Sequence, residues 1–325
     1  MITKEEVFLA YQLFLGRDPE NAIVIDQLIA EIENLSDLRK KLVVFPEFIQ
    51  KLKILPHPKL TMLAPPMQID LGLSNDHLDQ LLERTALQWK SLGISKPYWS
   101  VLTNPGYLNE NIEQNKEAFY QSGHLELSNL FAALQRSNVS IQPSFKCLEF
   151  GCGVGRVTGA LANHFASVIG VDVSHEHLQL AESYIQEQGM ANVELAHLTN
   201  LQELAQLGNF DFLYSQIVFQ HNPPPVTKYI LEQLLVQLNP NGLAYFQIPT
   251  YKIGYSFSIE QYLNSDDMPE MEMHYLPQDQ LFSMIAKANC TILEIREDTA
   301  IGPSLSAISN TILLKKNIDS APPLQ

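Results

Sequence analysis

From Lys146 onward, short apolar runs alternate with stretches of helix length: "KCLEF", "SVIGVDV", "NVELAHL", "FDFLYSQ" and "LAYFQIP". Runs this short and this rich in β-branched and aromatic residues read as buried strands, and the helical stretches between them are what a parallel sheet needs to cross back over itself. The last two runs, "CTILEIRED" and "SNTILLKK", follow one another with no helix between, which predicts an antiparallel pair at the sheet edge. Before Lys146 the period changes. Val7, Phe8, Tyr11, Phe14 and Leu15, then Ile25, Leu28, Ile29 and Ile32, stand at helical spacing and predict a small bundle over residues 1–54. "GRDPEN" breaks its first helix from its second, and Ser36 offers an N-cap for a third. Pro56, Pro58, Pro65 and Pro66 mark a linker over residues 55–74, where the domain boundary is placed. Helical patterns return over Asn75–Gly93 and Leu108–Arg136, so residues 75–145 are expected to cap a sheet domain over 146–317, ahead of a loose tail at 318–325.

Composition narrows the partners. With 325 residues, 46% of them hydrophobic, the chain can bury one large core or two unequal ones. The formal charge of −15 is uneven: residues 1–60 hold 8 Lys/Arg against 9 Asp/Glu, and the remainder 13 against 27. An acidic body repels phosphate backbones, which argues against a nucleic-acid partner. No apolar run reaches the length of a membrane span, and "MITKEEVFLAYQ" lacks the basic-then-apolar order of a secretory signal, so a cytoplasmic location is expected. Cys147, Cys152 and Cys290 lack CxxC spacing, and neither a disulfide framework nor a structural zinc site is supported.

The candidate chemistry centres on "CLEFGCGVGRVTG". Gly151, Gly153 and Gly155 follow the first strand and precede a helix opening near Arg156, the place where α/β sheets bind ligands. A dinucleotide turn wants G-x-G-x-x-G, but the third glycine of that pattern is Arg156 here, and Glu149 would oppose a pyrophosphate while favouring a cationic ligand. Asp172, ending "VIGVDVS", can accept hydrogen bonds from both hydroxyls of a ribose; an NAD site would want the same acid. These residues resemble motif I of the class I S-adenosylmethionine-dependent methyltransferases, E/D-x-G-x-G-x-G, and the likeness runs from Lys146 to Lys316. The resemblance implies a Rossmann-like α/β sheet with helices on both faces, an antiparallel C-terminal edge pair and S-adenosyl-L-methionine as cofactor. It implies that cofactor contacts come from Glu149, Gly151, Cys152, Gly153, Gly155, Arg156, Asp172, Val173, Leu198, Thr199, Ser215 and Gln216. Many members carry an acid for the adenine amino group where Leu198 and Thr199 stand, so adenine recognition here would rest on backbone and apolar contacts. Cys152 reads otherwise as a small packing residue and Arg156 as a brace for the helix start. His175 and His177 of "SHEH" point to different helix faces, which argues against a metal there.

Two polar clusters follow at the carboxyl ends of strands, where acceptors bind. One is "QHNPPP", with His221. The other is an insertion over about 250–277 that concentrates Tyr251, Tyr255, Tyr262, Glu272, His274 and Tyr275. A hydroxyl acceptor benefits from a base: His274 is the first candidate, Glu272 its orienting partner, His221 the alternative base, and Tyr251 a further catalytic candidate. The alternative is that these side chains only pack the lid. Tyr98, Trp99, Phe119 and Tyr120 either cover the cofactor or form the core of the cap. "AYQLFLGRDPEN" and "LRKKLVVFPEF" resemble a small helical domain attached to bacterial glycan-assembly enzymes, which implies a carbohydrate context and a protein contact through the bundle. The expected function is O-methylation of a sugar-containing or other small polar acceptor in glycan or natural-product biosynthesis. N-methylation, an NAD-dependent oxidoreductase and a non-catalytic binding module are the rival readings.

Overall fold

The computed structural model describes residues 2–32, 34–48, 63–72, 74–302, 304 and 306–318, so Pro56, Pro58 and nearly all of the expected tail lie outside the described residues. The chain divides into two compact units, Met1–Thr61 and Met62–Gln325.

The first unit is helical. Helix α1 (Lys4–Ala10) starts at a capping box between Thr3 and Glu6, widens into a π-helical turn over Tyr11–Leu15 and stops at Gly16, whose φ of 61° is left-handed. Helix α2 (Ala22–Glu31) is capped by the Asn21 side chain, and α3 (Leu35–Val43) by Asn34 rather than Ser36. The cap moves because an Asn side chain at Asn34 reaches the Asp37 amide and leaves Ser36 inside the first turn. Val7, Tyr11, Leu15, Leu28, Leu38 and Leu42 form the core of this unit.

The second unit opens with a two-residue strand, β1 (Gln68–Ile69), and the helices α4 (Asn75–Ser95), α5 (Pro97–Val101) and α6 (Ile112–Arg136). On α4 the buried positions Leu78, Leu81, Leu82, Thr85, Gln88 and Leu92 repeat every three or four residues, the stripe of a helix lying on a core. The sheet follows: β2 (Lys146–Phe150), a short helix α7 (Thr158–Leu161), β3 (Ser167–Asp172), α8 (His175–Glu187), β4 (Val193–His197), β5 (Phe210–Ser215), α9 (Pro224–Gln237) and β6 (Leu238–Lys252). The insertion contributes β7 (Ser256–Phe257) and α10 (Ile259–Leu263). Helix α11 (Gln278–Lys287), β8 (Cys290–Glu297) and β9 (Ala307–Lys316) end the unit. The seven main strands run in the order β4-β3-β2-β5-β6-β9-β8, parallel as far as β6, with β9 antiparallel to both its neighbours. The expected edge pair is therefore present, with the later strand on the inner side.

Strand alternation sorts the core into two layers. Leu148, Phe150, Ile169 and Val171 face a core shared with α9 and α11, whereas Cys147, Val168, Phe212 and Tyr214 face α6. Glu149 has the parity of Cys147. It therefore emerges on the α6 side at the end of its strand, where that apolar layer stops.

Two further contacts fix the upper surface. β7 pairs in parallel with β1, Gln68 opposite Ser256 and Ile69 opposite Phe257. Helix α6 crosses the glycine turn so closely that a Cβ on Gly123 would lie 2.2 Å from the Arg156 carbonyl oxygen. Gly123→Ala is expected to cost roughly 1–3 kcal/mol in denaturant unfolding, the usual penalty of overpacking, while Gly72→Ala on the exposed approach to α4 stays within about 0.5 kcal/mol. The second unit, expressed from Met62 so that β1 is kept, is expected to unfold in a single transition of its own because its core is complete without the first; aggregation on removal of residues 1–61 would contradict this.

Candidate functional site

From β2 the chain winds outward through β3 to β4, then returns to place β5 and β6 on the other side of β2. The loops leaving β2 and β5 thus diverge, opening a crevice at the carboxyl ends of the strands. A cavity lies there. Eight of the sequence-predicted residues line it together: Glu149, Gly151, Cys152, Gly153, Arg156, Asp172, Val173 and Gln216.

The glycines permit close approach from above. A Cβ on Gly151, whose φ is 79°, would fall 2.3 Å from Val218, and one on Gly153, at φ 55°, 2.8 Å from Val101. Asp172 is held by two backbone amides, Gly153 N–H at 2.8 Å on one oxygen and Ser174 N–H at 2.8 Å on the other. Each oxygen retains a lone pair for a ligand hydroxyl. Glu149 is 4% exposed and accepts the Thr158 hydroxyl at 2.5 Å. Burial pushes its carboxyl up to about 8, against the opposing pull of the Thr158 hydrogen bond and the Arg156 charge. The acid at the floor of the cavity is therefore largely protonated at neutral pH until a cation arrives. Arg156 pairs with Glu126 of α6 and donates to Ser122 at 3.2 Å, and Tyr214 donates to Glu126 at 3.4 Å. Of the three buried donors that find no partner among the described atoms, two, Arg156 Nε and Gln216 Nε2, are on residues that line the cavity. Burial holds the Cys152 thiol above its usual range, so it is inert as a nucleophile.

The remaining predicted contacts lie elsewhere. Leu198 is part of the hydrophobic core, and the Thr199 amide and hydroxyl bind Glu203 at 2.8 and 2.7 Å in a helical cap. Ser215 is fully buried and donates to the Phe150 carbonyl, tying β5 to β2 below the cavity; Gly155 faces Ala181 of α8. Tyr251 donates to the Pro65 carbonyl, away from the cavity.

Nor do the imidazoles open into it as free bases. His274 is 7% exposed, accepts the Tyr255 hydroxyl at 2.8 Å on Nδ1 and donates from Nε2 to Glu272 at 3.2 Å. Glu272 also accepts the Tyr262 hydroxyl and faces Arg84 at 3.6 Å. Burial raises the Glu272 carboxyl, but the hydrogen bonds from His274 and Tyr262 and the Arg84 charge outweigh it, and the group sits below its ordinary range. Arg84 stacks on Tyr262 at 4.4 Å and donates to the carbonyls of Tyr262 and Ser265 at 3.0 and 2.7 Å. The polar cluster read as acceptor chemistry thus fastens the insertion to α4. His221 donates from Nδ1 to the Glu272 carbonyl at 2.8 Å and accepts Gln220 on Nε2 at 3.1 Å; burial lowers its basicity to about 4.

The cap supplies what the sequence did not reveal: Thr85, Trp89, Ser100 and Val101 from α4 and α5, and Glu126 from α6. Their only sequence signal was position on an apolar stripe. Tyr98, Phe119 and Tyr120 form the core of the cap with Val154 and Tyr184 instead. His177 lines the cavity and is bracketed by Ser174 at 2.7 Å and Ser100 at 2.8 Å.

The cavity fits S-adenosylmethionine on three observations: a desolvated carboxyl that a positive charge would ionise, an acid at the ribose position, and orphaned donors for an acidic or carbonyl group. Residues 147–242 match the family model described as a methyltransferase domain. A ubiquinone biosynthesis O-methyltransferase of Acinetobacter baylyi is 28% identical over 103 residues, 31% of this chain and 42% of that protein. An uncharacterized protein of Rickettsia prowazekii is 32% identical over 107 residues, 32% of this chain and 43% of its own length. The chain thus spans well under half the length of these relatives. Magnesium protoporphyrin IX methyltransferase of Synechocystis, solved with bound S-adenosylhomocysteine, aligns over 74% of this chain and 100% of its own at 17% identity and a TM-score of 0.48. Among the described residues no helix is long and apolar enough to cross a membrane. Over residues 147–242 the chain is thus similar to a methyltransferase domain.

Proposed function

We propose that this protein transfers a methyl group from S-adenosylmethionine to a hydroxyl of a small polar acceptor, a sugar-containing molecule first among them. The observation that carries the reading is the cavity at the β2/β5 divergence, where Glu149 and Asp172 face one space. Asp172 would hold the ribose hydroxyls, Gln216 Nε2 and Arg156 Nε the amino-acid portion, and Glu149 would balance the positive charge. The cofactor supplies a methyl group already activated on a sulfonium. What the chain adds is alignment and exclusion of water, through Trp89, Val101 and Val218 closing over the turn. Support for an oxygen acceptor comes from the O-methyltransferase names of relatives, and for a carbohydrate setting from the resemblance of the first unit. Glu126, Glu149 and Asp172 line the cavity against a single cation, Arg156, which is paired with Glu126. That balance favours a neutral or cationic acceptor over a phosphorylated one. A nitrogen acceptor is the second reading, favoured by the full engagement of both candidate imidazoles.

Calorimetry should show S-adenosylhomocysteine binding, weakened roughly tenfold or more by Asp172→Ala as hydrogen bonds to a charged group are lost; NAD binding of equal strength would overturn the cofactor assignment. Glu149 adds a pH signature. Its folded value near 8 lies above the ordinary carboxyl range, so the unliganded fold binds the extra proton and loses stability as pH rises through that window. A sulfonium favours the ionised form, so S-adenosylmethionine binding at pH 7 should release a proton and tighten toward pH 8. Glu149→Gln should remove both trends, as read by calorimetry in buffers of different ionisation enthalpy.

For His274 the structure favours a fastening role over a base. His274→Ala is expected to lower unfolding free energy by roughly 1–3 kcal/mol, since the Tyr255 hydroxyl loses its imidazole acceptor and Glu272 one of its three partners, with turnover per folded molecule changed less than about tenfold. A hundredfold loss of turnover with unchanged stability would restore it as the base.

A further inference from the structure

At the end of β5 the backbone does something a β-branched residue avoids. Ile217 has φ 60°, in the left-handed region, and lines the cavity between Gln216 and Val218. For an isoleucine this conformation is strained by about 1–3 kcal/mol and persists only where its surroundings enforce it. What enforces it is a run of buried amides. Ile217 N–H donates to Gln247 Oε1 at 3.1 Å, and Gln247 Nε2 donates to Gln220 Oε1 at 3.1 Å and to Ser309 Oγ at 2.6 Å. Gln220 Nε2 donates to His221 Nε2 at 3.1 Å, and His221 Nδ1 donates to the Glu272 carbonyl at 2.8 Å. The His274 amide returns to the Gln220 carbonyl at 2.7 Å, closing the chain on the insertion. Gln247 and Ser309 are fully buried, and Gln220 and His221 nearly so.

Every link has one direction. Gln247 spends its carbonyl on Ile217 and both amide hydrogens elsewhere, so it cannot turn over without breaking three bonds. Gln220 then must present its NH₂ to His221, which leaves Nε2 an acceptor and sends the single ring proton to Glu272. A protonated ring would set N–H against N–H.

We propose that Gln247, Gln220 and His221 are positioning residues that hold Ile217 in its left-handed conformation, so that the seating of the insertion, through its Glu272 carbonyl on His221, sets the shape of the cavity wall over the glycine turn. The effect on ligand affinity rests on the cofactor reading above; the conformational claim does not. Val218, the next residue, is the side chain that covers Gly151, so release of the Ile217 turn moves the wall against the ligand.

The test is a pair of measurements on the full chain. Hydrogen exchange at the Ile217 amide, without ligand, should be slow in the wild type and at least tenfold faster in Gln247→Met, whose side chain keeps the volume and loses the acceptor. Unchanged protection would overturn the proposal. With S-adenosylhomocysteine as probe, Gln247→Met should raise Kd about tenfold in the wild-type background but less than threefold beside Ile217→Gly, since glycine holds a positive φ without enforcement. Equal losses in both backgrounds would mean that Gln247 acts by general packing and would overturn it as well. Gln220→Met, one link further from Ile217, should show the same pattern with smaller changes and serves if Gln247→Met does not fold. Failure of the wild type to bind the probe would count against the cofactor reading alone, because the exchange measurement needs no ligand.

Discussion

Three elements approach the Gly151–Gly155 turn more closely than a side chain would tolerate, and the architecture of the site depends on that crowding. Val218 stands over Gly151, Val101 over Gly153, and Gly123 lets α6 reach the Arg156 carbonyl. Each contact brings a different part of the chain: the loop after β5, the end of the α4–α5 cap, and the helix that carries Glu126. A cavity made this way needs no dedicated binding domain, because its walls are elements that already cover the sheet. Its shape is also fixed by backbone, which is stiffer than any side chain that might have filled the same space.

The crowding explains why Glu149 behaves as it does. A carboxyl at the end of an otherwise apolar strand would ordinarily reach water, but α6 and the cap exclude it, and burial outweighs both the Thr158 hydrogen bond and the Arg156 charge. The guanidinium is spent largely on Glu126. An enclosed acid without a full counter-ion is poorly satisfied alone and well satisfied beside a cation, so the site is selective for positive charge before any shape is considered.

Strands, their order of appearance and the glycine turn were legible from the sequence because they follow local rules: a two-residue period in buried strands, helical stretches between, glycine where backbone bends back. Lys146–Phe150 was read to the residue. The cap positions were not legible. Trp89, Thr85 and Glu126 differ from neighbouring helix residues only in which tertiary surface they meet, and a single sequence carries no mark of that. Leu198 and Thr199 stand at a motif position, and the structure places the Leu198 side chain in the core and binds the Thr199 amide to Glu203 at a helix cap. The N-cap at Asn34 was missed for a smaller reason: two cap-competent residues stood two apart, and only the backbone at Asn34 is extended.

The cluster in the insertion is the instructive case. Histidine, glutamate and tyrosines gathered in a long loop at the strand ends look like acid–base chemistry, and residue type alone offers no reason to read them otherwise. What decides is valence. His274 uses both ring nitrogens, and Glu272 is shared among His274, Tyr262 and Arg84. A base needs a lone pair directed at the substrate, and here those lone pairs are consumed in holding the loop to α4. The cluster is costly to bury, and a purely apolar patch could have sealed the same surface for less. A polar seal differs in being directional: it fixes the Glu272 carbonyl at one point, and that carbonyl is where the His221 end of the amide chain is anchored. The chemistry that resembled catalysis in the sequence is in the structure a means of placing one backbone atom, from which the wall of the cavity takes its register.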